Sequence, residues 1–226
     1  MDVKFQTAAK TANASKSAIN YVRMGMANPE RAILIYWGIS LLLGLVALNH
    51  WIGAWNVGAT LAQPWLVAFL VVTFALSQTL YVLVARHDDR PVLPLPTVIF
   101  SIGNGIFETF AFAFVYWLGA LIGSSVVGLF APGFASVAGF GLGLVFFMIY
   151  GGLIHGLFWL QLLPPHFDDS PRSVAIRKFR PLAEVLLVFG WGLCLWLYND
   201  IWTVVLVHTL VDVGLMLRVR PILFHR

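Results

Sequence analysis

Residues 97–119 read TVIFSIGNGIFETFAFAFVYWLG and contain one ionisable side chain, that of Glu108. At about 1.5 Å of rise per residue, a helix of this length crosses the hydrocarbon core of a bilayer, which is about 30 Å thick. An ionisable group at that depth is costly, about 2.5–3.5 kcal/mol on insertion scales for Asp, Lys or Arg. The stretch therefore predicts a membrane-spanning helix and marks Glu108 as a candidate functional residue.

The rest of the chain has the same apolar character. Of its 226 residues, 60% are hydrophobic and 11% are charged. A soluble domain of this size does not bury that much apolar surface, so lipid is the expected solvent. The apolar runs are continuous and do not alternate with a period of two, which favours helices over a membrane β-barrel.

Six apolar runs predict an all-α membrane bundle of about six spanning helices. The transmembrane domain is expected over residues 32–218, between a basic N-terminal segment (1–31) and a short basic tail (219–226). The predicted spans are 32–55, 64–85, 97–119, 137–163, 182–198 and 200–217. The apolar stretch 120–136 is interrupted by Gly and Pro, and it is compatible with an extension of the third helix, a re-entrant turn, or a segment along the interface.

The positions of the basic residues predict the orientation. All 14 Lys and Arg residues lie before the first span, after the last, or in the two loops that include residues 86–90 and 172–180. The positive-inside rule then predicts both termini on the cytoplasmic side of a cell inner membrane or an internal membrane. Basic loops of this kind indicate the lipid bilayer as a partner, and nothing in the chain indicates nucleic acid. The single cysteine, Cys194, excludes a disulfide within the chain.

Four ionisable residues remain inside the predicted spans: Glu108, His155, His208 and Asp212. Counted from the cytoplasmic span ends, they lie about 16, 12, 15 and 9 Å deep. His208 and Asp212 are four residues apart and share a helix face. A buried carboxylate can act as a general base when a histidine holds water for it, and a second histidine can donate to a developing oxyanion. This quartet is the predicted catalytic site.

Two other interpretations of the same residues stay open. Glu108 and the histidines can bond one another or backbone carbonyls, and so only lock the bundle. Alternatively, His155 or His208, together with Glu108, ligates a metal ion or a pigment.

Small residues and tryptophans carry further expectations. The glycine pairs 119/123, 139/143 and 152/156 are each four apart, which favours compact helix packing, with a homodimer face as the alternative. Most of the nine Trp residues lie near predicted span ends, as expected for anchors at the membrane interface. Glu184 is expected to pair with Arg180 at the start of the fifth span.

The order of the intramembrane residues resembles that of the CPBP (Abi) intramembrane proteases, which include CAAX prenyl endopeptidases and bacteriocin-processing proteins. The resemblance covers about residues 97–217. The residues that carry it are Phe107-Glu108-Thr109, Gly151-Gly152-Leu153-Ile154-His155 and His208-Thr209-Leu210-Val211-Asp212. It implies that Glu108 and His155 activate water, and that His208 and Asp212 stabilise the oxyanion.

The chain also departs from the pattern of that family. The first motif, Glu-Glu-x-x-x-Arg, has one Glu here, followed by Thr109, with Ala113 or Phe112 where the Arg would stand. Gly151 replaces the Phe of the second motif, and Asp212 stands where Asn is common. An Asp at that position donates a hydrogen bond only when it is protonated.

Two functions follow. The first is an intramembrane endopeptidase acting on a membrane-tethered peptide or protein, with activity either kept or lost. The alternative is a non-catalytic assembly factor or a subunit of a larger membrane complex, with partner membrane subunits and with a pigment or metal at the histidines. A transporter is less favoured, because the chain shows no inverted repeat.

Overall fold

A computed structural model of the protein describes residues 29–86, 91–162, 167–221 and 223–224, without the side chains of residues 29, 50 and 152–162. Of the predicted N-terminal basic segment, residues 1–28 lie outside the described part. The described residues form no β-strand. Their helices are α1 (Pro29–Ala47), α2 (Asn49–Ile52), α3 (Val57–Leu61), α4 (Pro64–Val84), α5 (Pro94–Gly103), a π-helical segment (Asn104–Glu108), α6 (Thr109–Phe130), a 3-10 turn (Pro132–Phe134), α7 (Ala135–Leu162), α8 (Pro171–Arg177), α9 (Arg180–Tyr198) and α10 (Ile201–Arg218).

Six helical stretches within the described residues are long and apolar enough to cross a membrane. They cover Glu30–Ala47, Pro64–Val84, Pro94–Phe130, Pro132–Gly151, Pro171–Tyr198 and Ile201–Arg218. The prediction of an all-α chain with six such helices is confirmed, and the architecture is compatible with a multi-pass membrane protein. The first span is shorter than the predicted 32–55, because α1 ends at Ala47 and the backbone changes direction at Leu48.

Residues 120–130 extend the third helix, which was one of the three expected forms of the stretch 120–136, and residues 131–136 form the turn and the start of the next helix. Helix α5, the π-helical segment and α6 run on as one rod of 37 residues, about 56 Å long. A rod of this length exceeds the thickness of a hydrocarbon core, so in a bilayer it would tilt or project from the core. A short turn at Pro132–Phe134 then reverses the chain into α7.

Glycines bring α6 and α7 into backbone contact. A Cβ atom on Gly119 would lie 2.7 Å from the carbonyl oxygen of Leu142, and one on Gly123 would lie 2.6 Å from that of Ala138. Residues larger than Gly would therefore force the two backbones apart. The compact-packing interpretation is confirmed for Gly119, Gly123 and Gly139, whereas the pair 152/156 lies in the part of α7 whose side chains are not described.

The described Lys and Arg residues lie at one end of the bundle, where α4 and α10 end and α5, α8 and α9 begin. Arg86, after α4, donates to Asp169 at 2.8 Å, and Arg177 of α8 lies 3.4 Å from the same carboxylate. Arg180 and Glu184 form the expected ion pair, with 2.8 Å between Nε and Oε1. That this end faces the cytoplasm stays a prediction.

The opposite end is closed by a polar turn between α9 and α10. Asn199 has a left-handed backbone, with φ of 52°, and ends α9. The carboxylate of Asp200 then accepts the backbone N–H groups of Trp202 and Thr203, which caps α10. Thr60 of α3 donates to the other oxygen of Asp200 at 2.5 Å. A single buried side chain thus starts α10 and ties it to the loop between the first two spans.

The predicted orientation can be tested with single cysteines, because the native Cys194 is buried. Gly58 and Arg172 are exposed at opposite ends of the bundle. We expect a membrane-impermeant maleimide to label Gly58→Cys in intact cells, and Arg172→Cys only after permeabilisation. The reverse pattern would place the basic end outside.

The α6–α7 contact predicts a difference between two Gly→Ala variants of the same helix. Both variants gain similar helix propensity, but a Cβ on Gly128 lies 3.6 Å from the nearest atom, whereas one on Gly123 overlaps the α7 backbone. We expect Gly123→Ala to be less stable than Gly128→Ala by about 1–3 kcal/mol, measured by SDS titration in mixed micelles. Equal stabilities would show that α6 and α7 do not pack this closely.

Candidate functional site

Three of the four predicted site residues meet in one buried cluster. Glu108 ends the π-helical segment, and His208 and Asp212 lie one turn apart on α10. Their exposed fractions are 4%, 2% and 3%. His208 Nε2 lies 3.4 Å from Glu108 Oε2 and 3.5 Å from Asp212 Oδ2. The third and sixth spans therefore place two carboxyl groups and one imidazole within reach of a shared proton.

Asn104 bridges the two carboxyl groups. Its amide nitrogen donates to Glu108 Oε2 at 2.6 Å and to Asp212 Oδ2 at 3.0 Å. Its carbonyl oxygen accepts the indole N–H of Trp37 from α1 at 3.1 Å. Because an unpaired polar group in hydrocarbon costs several kcal/mol, an amide that satisfies two acids at once stabilises the cluster. We call Asn104, Glu108, His208 and Asp212 the polar centre.

The ring of His208 is held on both of its edges and on its face. Thr109 Oγ1 lies 2.9 Å from Nδ1, while Nε2 faces the carboxylates. Phe112 stacks on the imidazole at 5.8 Å, and Trp191 lies 4.9 Å from it on α9. When the Thr109 hydroxyl donates to Nδ1, the ring proton sits on Nε2 and points at Glu108 and Asp212. The surrounding contacts thus orient the imidazole for proton exchange with the acids.

A second series of hydrogen bonds reaches the polar centre from the side of α1. Tyr36 donates to Glu108 Oε1 at 3.3 Å, and Tyr150 of α7 donates to the Tyr36 hydroxyl at 3.3 Å. The two phenols connect three spans through hydroxyl groups, which gives Glu108 partners for both of its oxygens.

Local backbone geometry explains why these groups meet. The π-helical segment widens one turn of the third span, a distortion that is frequent at functional sites. Two glycines flank Asn104 at the start of this segment: a Cβ on Gly103 would overlap the ring of Trp37, and one on Gly105 would overlap the side chain of Thr209. The absence of side chains there lets α1 and α10 approach closely, so that Asn104 reaches partners on both helices.

A cavity of about 130 Å³ adjoins the polar centre on the side of α7 and α9. It has room for about four water molecules at their liquid volume of about 30 Å³ each. His208 and Asp212 line it, and Arg180 and Glu184 line it near the basic end of the bundle. A smaller cavity of about 40 Å³ shares the lining residues Tyr81, Arg180, Glu184 and Leu187 with the larger one. The larger cavity gives the polar centre a place for water or for a ligand.

The position of the fourth predicted residue is only partly described. His155 lies on α7 beyond Gly151, but its side chain is outside the described residues, so its role stays a prediction. Within the described residues, no three His, Cys, Asp or Glu side chains are arranged to hold a metal ion. Ligation by His155, His208 and Glu108 therefore also stays a prediction.

Sequence reasoning missed several residues of the site. The sequence analysis did not identify Asn104, Tyr36, Thr109 or Tyr150 as hydrogen-bond partners of the predicted site residues. Their shared signal is a hydrogen-bonding group within an apolar run. Trp37 and Trp191 do not fit the interfacial interpretation, because both are buried beside the polar centre, at 5% and 4% exposure.

Comparison of the chain with protein-family models, curated proteins and solved structures gave no match.

The bridge by Asn104 predicts that the polar centre is a stability element. Asn104→Ala removes both donors and leaves two buried carboxyl groups short of partners. We expect it to lower the free energy of unfolding by at least about 1–3 kcal/mol in SDS titration. The matched control is Ser101→Ala, one turn earlier on the same rod, because the Ser101 hydroxyl is buried without a hydrogen-bond partner among the described residues. Similar losses in the two variants would argue against the bridge.

Proposed function

We propose that the protein is an intramembrane endopeptidase that resembles the CPBP proteases and cleaves a membrane-tethered peptide or protein. The observation that supports this most is the convergence of Glu108, His208 and Asp212 beside a cavity at the depth of the apolar spans. A buried acid and imidazole at this depth are costly, which favours a functional reason for keeping them.

In the proposed reaction, Glu108 is the general base. It takes a proton from water, and the water oxygen bonds to the carbonyl carbon of the scissile peptide as the carbonyl π electrons move to oxygen. The C–N bond then breaks, and the proton held by Glu108 passes to the leaving amine nitrogen. The family resemblance assigns the holding of the water to His155, and that assignment is part of the proposal.

His208 and Asp212 have the second role, because both line the cavity. The Nε2–H group of His208 donates to the oxyanion of the tetrahedral intermediate, and protonated Asp212 adds a second donor. Thr109 stands where the family has its second Glu. Its contact with Nδ1 of His208 supplies an orienting partner for this ring.

This mechanism predicts opposite outcomes for two isosteric changes. Glu108→Gln removes the base and should lower the rate of cleavage of a membrane-tethered peptide about 10²–10⁴-fold. Asp212→Asn keeps a donor to the oxyanion and also keeps an acceptor for Asn104, so activity should persist. The measurement is mass spectrometry of products formed in proteoliposomes.

The control for that assay is Ser101→Ala, which leaves the polar centre intact. Cleavage that survives in Glu108→Gln would contradict the assignment of the base. No cleavage by the wild-type protein with any tethered peptide would contradict the peptidase itself.

A second candidate function is a non-catalytic assembly factor or complex subunit. One observation favours it: Glu108 already has protein partners for both of its oxygens, and it lies behind His208 and Asp212 with respect to the cavity. A closed network of this kind locks three helices together without chemistry. Copurification of partner subunits or of a pigment, unaffected by Glu108→Gln and without cleavage, would support this function and exclude the peptidase.

A further inference from the structure

The larger cavity joins a partly exposed ion pair at the basic end of the bundle to the buried polar centre. The side chains of Glu184 and Arg180 are 31% and 22% exposed, and both residues line the cavity. Asp212 and His208 line the same cavity and are buried. The cavity therefore has an ionisable group near the solution and two more beside Glu108 and Asn104.

On its other side, toward the opposite end of the bundle, the polar centre is covered by apolar side chains. Beyond His208 in that direction, α10 contributes Val204 and Ile201, which are fully buried. Cys194 of α9 is also fully buried and belongs to the same apolar cluster. Because apolar packing offers water no hydrogen-bond partner, the cavity on the basic side is the route by which water reaches the polar centre.

The length of this route agrees with its volume. Trp191, which lies 4.9 Å from the His208 ring, follows Glu184 after two turns of α9, a rise of about 10 Å. Hydrogen-bonded water molecules spaced about 2.8 Å apart cover that length with about three or four molecules. The cavity volume of about 130 Å³ holds about four at their liquid volume.

Polar partners for such water lie along the route. Buried water typically makes two to four hydrogen bonds, and the ion pair and the polar centre supply partners at the two ends. Tyr81 of α4 lines both cavities and lies within electrostatic range of Glu184 and of Asp212. Met148 and Val188 form part of the remaining wall. Since these side chains are apolar, they do not compete for the hydrogen bonds between water molecules.

We propose that a water wire, a row of hydrogen-bonded water molecules in the larger cavity, carries protons between the polar centre and the solution at the basic end, with Glu184 as the transfer group. A proton leaves the carboxyl group of Glu184 for the nearest water. Each water takes up one proton and releases another, and the last one protonates Asp212 or His208. Glu184 then takes a new proton from hydronium in the solution. Arg180, 2.8 Å from its carboxylate, positions Glu184.

This inference goes beyond the proposed function, because a proton route can serve the polar centre whether or not the protein cleaves peptides. For a peptidase, the same water would also replace the molecule that each hydrolysis consumes. Water in the cavity and proton exchange are measured without a substrate. The route and the peptidase can therefore fail separately.

The first experiment tests whether water occupies the cavity. It uses the full-length protein in lipid bilayers, with ¹³C-labelled Met and Ile methyl groups, and solid-state NMR in which magnetisation starts on water protons. Met148 lines the cavity, whereas its neighbour Ile149, at the same depth, is 64% exposed on the outer surface of the bundle. We expect water magnetisation to reach the Met148 methyl group sooner than that of Ile149.

A filling variant makes this experiment specific to the cavity. Val188→Phe adds volume to the cavity wall and should slow the transfer of water magnetisation to Met148. Leu182→Phe is the matched control on α9, because Leu182 is exposed and lines neither cavity. Should Val188→Phe fail to accumulate, Val188→Leu fills part of the same space and should slow the transfer in part.

The second experiment tests the role of Glu184. In protein with ¹⁵N-labelled histidine, NMR follows the exchange of the His208 ring N–H proton with water, and loss of the signal in His208→Gln assigns it. Glu184→Gln keeps an acceptor for Arg180 but carries no exchangeable carboxyl proton. We expect it to slow the exchange at least roughly tenfold, because a positioned acid–base group typically contributes about 10²–10⁴-fold to a proton transfer.

Two further variants separate this role from a structural one. Glu184→Asp keeps a carboxyl group and should restore most of the exchange. Asp169→Asn is the matched control, since Asp169 also pairs with an arginine at the basic end, Arg86, but lines neither cavity. We expect its exchange rate to equal that of the wild type.

Three outcomes would overturn the inference. Met148 and Ile149 could receive water magnetisation at the same rate, Val188→Phe could leave that of Met148 unchanged, or Glu184→Gln could exchange as fast as Asp169→Asn. Results that follow the expectations without any peptide cleavage would sustain the proton route and remove the peptidase. Cleavage by a protein with a dry cavity would do the reverse.

Discussion

The bridge that Asn104 forms between Glu108 and Asp212 is the contact on which the rest of the site depends. A carboxyl group on a soluble protein can turn to water, but one at the depth of an apolar span must find its partners within the protein. Here one amide serves two acids, and one imidazole lies within 3.5 Å of both. The arrangement lets Asn104 and Asp212, which are 108 positions apart in the sequence, share a single polar environment.

Close approach of helices makes that bridge possible. Gly103 and Gly105 flank the bridging residue on the third span and let Trp37 and Thr209 come against the backbone. In lipid, packing contacts replace the hydrophobic effect as the attraction between helices, so small residues have a structural role that they lack in a soluble core. The same feature recurs between α6 and α7, where it joins the longest pair of helices. The stability of the bundle and the geometry of the polar centre thus both depend on glycines at the helix contacts.

Much of the fold could be predicted because hydropathy and charge are properties along the chain. The lengths of the apolar runs predicted the six spanning helices. Counting residues from the span ends predicted that Glu108, His208 and Asp212 lie at similar depths. The i,i+4 spacing of His208 and Asp212 also showed their shared face. The rotational orientation of each helix about its axis could not be predicted in this way, since a helix that is apolar all round does not reveal which side faces lipid.

The features that could not be predicted from the sequence depend on how each helix is rotated about its axis. The π-helical segment changes the rotation of the third span within one turn, and no hydropathy pattern marks it. Most of the nine tryptophans were expected at the interface, but a tryptophan in an apolar run fits either the interface or the interior of a bundle, so the sequence did not single out Trp37 and Trp191. Only the three-dimensional packing places them against Asn104 and His208. In the ambiguous stretch 120–136, residues 120–130 continue the third helix, and Gly123 packs there against the backbone of α7.

The central claim is that Glu108 and His208 are direct neighbours inside the bundle. Solid-state NMR can measure this as dipolar dephasing between ¹⁵N-labelled histidine side chains and ¹³C-labelled glutamate carboxyl carbons in the lipid-embedded protein. With 3.4 Å between Nε2 and Oε2, we expect strong dephasing that disappears in Glu108→Gln. Absence of dephasing in the wild type, or dephasing that persists in Glu108→Gln, would show that the acid and the imidazole do not meet.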